Sequence, residues 1–158
     1  MMSRLMEIHE PWFDSYQELK HQMIAVLEDA DLAHVIQGSP SLGELCREHG
    51  EVEQSYLDSF RTGKLRFDYR HPDPDIVGSI AALREWYTRL DNEFKTVLEG
   101  FTEEDLRTVA IDRRVWSVTI QENLSVYKEA VVIFAAKAWV HLLAMGKTLP
   151  DQWRDWIG

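Results

Sequence analysis

The 158-residue chain has a single cysteine, and no apolar run in it approaches the roughly 20 residues of a membrane span. Cys46 cannot form an intrachain disulfide and lies inside a helical pattern, which fits a reducing cytoplasm. Basic residues are few: 17 Lys+Arg stand against 27 Asp+Glu, a formal net charge of -10. A surface of that sign repels the phosphate backbone, so the reading excludes nucleic acid and an acidic membrane as partners. The eight glycines are dispersed and build no phosphate-binding loop of the Walker or dinucleotide kind. Neither a G-x-S-x-G elbow nor a paired-cysteine metal motif occurs. The six histidines are scattered, and none stands three or four residues from another, so no helix offers two imidazole ligands on one face. Between Met1 and Pro11, Arg4, Glu7, His9 and Glu10 interrupt what would be the apolar core of a signal peptide.

What is present is the composition of a globular domain, 45% hydrophobic and 28% charged, of a length that suits one domain spanning 1–158. Apolar residues recur at helical spacing in four stretches. The first runs from about Pro11 to His34 through Trp12, Tyr16, Leu19, Met23, Val26, Leu27 and Ala30. The second opens on Ser41-Leu-Gly-Glu44, a capping-box pattern, and carries Leu42, Leu45, Cys46, His49, Val52, Tyr56 and Phe60 to Gly63. A polar linker with Pro72 and Pro74 follows, long enough to cross from one end of a helical bundle to the other. The third stretch, about Asp75 to Glu99, presents Ile76, Ile80, Leu83, Tyr87, Leu90, Phe94 and Val97. Thr102 and Asp105 suggest a one-turn helix, and Val109 to Val118 a short hairpin. The fourth, about Thr119 to Met145, has two apolar faces. One holds Ile120, Leu124, Tyr127, Val131, Phe134, Ala138, Leu142 and Met145. The other holds Val132, Ala136, Trp139, Val140 and Leu143, and predicts either a homodimer through this helix or cover by the tail Asp151 to Ile157.

The second stretch from Ser41 to Leu57, the long third helix, Phe101-Thr-Glu-Glu-Asp-Leu106, Trp116-Ser-Val-Thr-Ile-Gln121 and the ending Leu142-Leu-Ala-Met-Gly-Lys-Thr-Leu-Pro150 resemble, in order and spacing, the DinB/YfiT-like superfamily. The resemblance spans nearly the whole chain. It implies an all-α, up-down-down-up four-helix bundle with a long crossover between the second and third helices. Members of that family typically carry a metal-binding histidine triad, one on the second helix and an H-x-x-x-H pair on the fourth. Carried onto this chain, those positions fall on Glu48, Ala130 and Phe134, with His49 one residue past the first. Alanine and phenylalanine donate no lone pair, and one carboxylate falls short of the three ligands of a catalytic zinc site.

The expectation is therefore a divergent, cytoplasmic member without the metal triad, either non-catalytic or binding a small molecule, with no cofactor. The alternative is a metal-dependent transferase or hydrolase acting on a thiol cofactor or similar small molecule, with Glu48, His49 and His141 assembling an altered site for divalent Zn, Ni or Fe. His49 reads as a hydrogen-bonded core residue and Glu48 as a solvated flank. Ala130, Phe134, Lys137 and His141 share one face of the fourth helix, which lets Lys137 point toward Glu48 as a cation in place of a metal. Trp116, Tyr127 and Phe134 are candidates to line an apolar pocket. Cys46 reads as an inert thiol, and Trp153 and Trp156 as a clamp on the C-terminus.

Overall fold

A computed structural model describes residues 4–158, apart from the side chain of residue 10; residues 1–3, part of the segment read for a leader, lie outside it. The chain is mostly helical. Its long helices are α1 (Arg4–Val26), α2 (Leu42–Thr62), α3 (Ile80–Glu99) and α5 (Ile120–Ala144). A one-turn helix α4 (Asp105–Thr108) and a hairpin of β1 (Ala110–Asp112) and β2 (Ser117–Thr119) separate α3 from α5. The short α6 (Asp151–Trp156) closes the chain.

Several boundaries follow directly from local chemistry. At the start of α2 the Ser41 hydroxyl accepts from the Glu44 amide at 3.2 Å and Glu44 accepts from the Ser41 amide at 2.8 Å. Gly63, at φ +71°, ends the helix in the left-handed region that disfavours a Cβ. Thr119 and Glu122 repeat the reciprocal cap at the head of α5.

Three expected boundaries are corrected. The first helix begins at Arg4 and runs through Pro11, whose lost hydrogen bond and crowding of the preceding turn do not end it. It stops at Val26; Asp29–Ala33 winds as a separate 3₁₀ turn, fixed by the reciprocal Glu28 and Asp31 cap. The third helix starts at Ile80, since Ser79 is extended and caps the Ala82 amide; the preceding Pro74–Gly78 is another 3₁₀ turn.

α1 packs on α3 and α5, and so does α2, which places α1 and α2 diagonally across the core. α1 runs against α3, as shown by the Asp14–Lys95 and His21–Asp91 pairs. α2 runs along α3, from Cys46 beside Tyr87 to Arg61 beside Glu93, and against α5, from His49 on Phe134 to Ser59 under Asn123. The expected inner face of α5 is buried from Ile120 to Leu142. On α1 Leu19 and Met23 of the expected stripe are buried, as is Leu27 just past the helix end, but the buried face also takes in Phe13, Gln17, Lys20 and Ile24, and Trp12 is 57% exposed.

Two glycines set how closely neighbours approach α2. A Cβ on Gly43 would lie 1.9 Å from the Val77 carbonyl oxygen, and one on Gly50 would lie 2.5 Å from the Trp86 ring. In the C-terminal tail Trp153 is fully buried, donates its indole N–H to the Leu19 carbonyl at 3.2 Å and stacks on Trp139. Trp156 meets Tyr16 edge-on. The tail thus covers part of the outer α5 face from within the same chain, while Ile133, Val140 and Leu143 stay more than half exposed.

Candidate functional site

The cleft between α2 and α5 brings together five of the residues singled out in the sequence. Glu48, His49, Ala130, Phe134 and Lys137, with Leu45, Val52 and Ile133, line a recess of about 160 Å³. Helical spacing accounts for this grouping. Ala130, Phe134 and Lys137 lie on one side of α5, and antiparallel packing sets Phe134 against His49. The two rings are nearly parallel, at 5°, with centroids 4.0 Å apart. Glu48, Val52 and Ala130 also border a wider cavity of about 610 Å³, walled by Arg47, Glu51, Tyr56, Phe67 and Arg70.

His49 is buried, and burial pushes its pKa down to about 4; nearby Lys20 acts in the same direction, while Glu53 opposes them. At neutral pH its ring is uncharged. Its Nε2 has no hydrogen-bond partner and lies 3.6 Å from the Glu53 carboxylate. Glu48 and Lys137 are exposed at the rim and, among the described residues, neither forms an ion pair. The expected Glu48–Lys137 bridge is absent because each side chain reaches water more readily than the other.

The buried cation of this protein is instead Lys20, which the sequence reading passed over. Its Nζ donates to both Glu53 oxygens at 2.8 Å, to Asp91 Oδ1 at 2.6 Å and to Gln17 Oε1 at 2.8 Å, and lies over the Tyr87 ring. Asp91 also meets His21 Nε2 at 2.6 Å. Burial pushes the Glu53 carboxyl up, but the Lys20 ammonium and the hydrogen bonds from Lys20 and Tyr127 outweigh it and leave Glu53 below the ordinary carboxylate range. A helical-phase signal was available: Lys20 stands seven residues after Phe13 and four before Ile24, and Glu53 four after His49, all on buried stripes.

Three candidates lie elsewhere. Tyr127 does not line the recess; it belongs to the Lys20 cluster, donating its hydroxyl to Glu53 at 2.5 Å and accepting from Gln17. His141 is drawn to the α1–α2 connection, where its Nδ1 lies 2.9 Å from Nδ1 of His34 and one ring must donate to the other. Trp116 is 59% exposed on the hairpin, with the Arg113 guanidinium over its ring, because the β1–β2 turn carries it away from α5. Cys46 is as expected: burial pushes its thiol up to about 12, leaving no thiolate for nucleophilic chemistry.

A metal of the kind the family resemblance implies does not fit this cleft. The Phe134 ring fills the space against His49, Ala130 has no donor atom, and His49 turns a ring face toward the recess wall. Among the described residues no group of three or more His, Cys, Asp or Glu is placed to hold a metal ion. No helix among them is long and apolar enough to cross a membrane. No protein family, curated protein or solved structure matches the chain.

Proposed function

We propose that this chain is a cytoplasmic, DinB/YfiT-like up-down-down-up four-helix bundle whose α2–α5 cleft binds a small molecule without catalysing its conversion. The helix directions, α1 against α3, α3 along α2 and α2 against α5, support that topology, and the non-helical stretch from Gly63 to Asp73 supports a long crossover. The observation that carries the ligand reading is the apolar recess lined by Glu48, Ala130 and Phe134, the positions where the resembling family places metal ligands, with His49 stacked on Phe134. An uncharged imidazole packed on a phenyl ring is a binding surface for apolar groups. The transferase or hydrolase alternative asks His141 to join His49, and its contact with His34 speaks against that.

The test uses toluene as a probe in methyl NMR. Titration moves the methyl resonances of Leu45, Val52, Ala130 and Ile133, and Ala130→Leu, which fills the recess, abolishes those shifts. A titration that moves no methyl of the cleft sinks the reading.

A further inference from the structure

We propose that the cleft selects a small apolar zwitterion, of the kind represented by a free apolar α-amino acid. This rests on the reading of the cleft as a ligand site and adds the chemistry of the ligand. The recess of about 160 Å³ is close in volume to the roughly 150 Å³ apolar cavity known to take up benzene, so it holds one phenyl or branched alkyl group and no more. The ligand's remaining atoms must then sit at the rim and in the wider cavity that shares Glu48, Val52 and Ala130 with the recess.

Most charges around that mouth are already engaged. Glu44 is held by the Ser41 amide, Glu51 accepts the His71 amide at 3.0 Å, and Arg70 donates to the carbonyls of Phe67 and Tyr69. Arg47 is paired with Glu51 at 3.7 Å. Two groups are left: Glu48 and Lys137, which both line the recess and have no ion-pair partner among the described residues. One carboxylate and one ammonium thus border an apolar opening.

An amine with no acid group would meet Glu48 but also face Lys137. A carboxylic acid with no amine would meet Lys137 but also face Glu48. A molecule carrying both charges on one carbon, with an apolar side chain for the recess, opposes neither.

The experiment compares L-phenylalanine, 3-phenylpropionate, 2-phenylethylamine and toluene by methyl NMR titration of the full chain. L-Phenylalanine is expected to bind about tenfold or more tighter than either singly charged analogue, the factor that corresponds to one charge-assisted contact. Glu48→Gln removes its advantage over 3-phenylpropionate, and Lys137→Met its advantage over 2-phenylethylamine. Both side chains are exposed, so the unliganded spectra of the variants check that folding is intact. If toluene moves the cleft methyls and the three other probes bind with equal affinity, the zwitterion inference is overturned while the cleft reading stands. If none of the four moves those methyls, both are overturned.

Discussion

Acidification should destabilise the folded chain through one buried ring. His49 in an unfolded chain titrates near its ordinary value of about 6.5, whereas burial holds it at about 4 in the fold. Its folded pKa is depressed. Its contribution to stability is therefore complete above about pH 6.5 and is lost as the pH falls toward 4, where the unfolded chain binds a proton that the folded chain refuses. The difference between those two values corresponds to about 3 kcal/mol. That is a large share of the roughly 5–15 kcal/mol that hold a domain folded. His9 and His141 are also shifted down and add loss of the same sign, so the measurement must be a difference. His49→Gln keeps an amide donor near Glu53 and removes the titration. Urea unfolding of both proteins at intervals between about pH 7 and pH 4.5 should show the wild type losing stability faster than the variant, by one proton's slope of up to about 1.4 kcal/mol per pH unit. Parallel curves would refute the assignment of a neutral, buried His49.

Removing the buried cation is the sharper perturbation of the core. Lys20→Met leaves Glu53 and Asp91 without their shared partner and should cost about 3–5 kcal/mol in chemical denaturation, and Lys20→Met with Glu53→Leu should cost less than Lys20→Met alone; a larger loss in the double variant would contradict the account. Gly43→Ala should destabilise by about 1–3 kcal/mol despite alanine's better helix propensity, because its Cβ meets the Val77 backbone. Gly50→Ala should cost less, since the Trp86 ring it meets can rotate, and equal thermal shifts for the two would remove that distinction. Of the outer α5 face read as a homodimer surface, Trp139 is taken by Trp153, while Ala136, Val140 and Leu143 stay exposed to a second copy. Sedimentation equilibrium should then show Leu143→Glu shifting the chain toward monomer, and a wild type that is monomeric at every concentration would dismiss the dimer.

What could be read from the sequence was what neighbouring residues decide. The Ser41 and Glu44 cap, the span of α5 and the gathering of Ala130, Phe134 and Lys137 on one side depend on spacings of three to seven residues. The helical phase marks Lys20 as buried, but its partners lie 33 and 71 residues away, and nothing around Leu19-Lys20-His21 pairs it with them. The same holds for His141. Its place on the helix was legible, but its partner sits in a connection 107 residues earlier, whose path no periodicity describes. On α1 the burial of Leu19 and Met23 was legible, but Trp12 and Tyr16 outweighed Gln17 and Lys20 on any apolar scale, although the polar pair is the one the fold encloses.

The Lys20 ammonium touches Glu53 from α2 and Asp91 from α3, and reaches Tyr127 of α5 through Glu53 and Gln17. All four long helices therefore meet at a single point of fixed height. Apolar faces alone tolerate one helix sliding past another by a turn, since leucine replaces leucine at little cost. Here a slip of one turn, about 5.4 Å, would strand an ammonium or a carboxylate in a dry interior. The cluster works as an alignment pin, allowing one vertical setting of the helices and so fixing which residues of α2 and α5 face each other across the cleft.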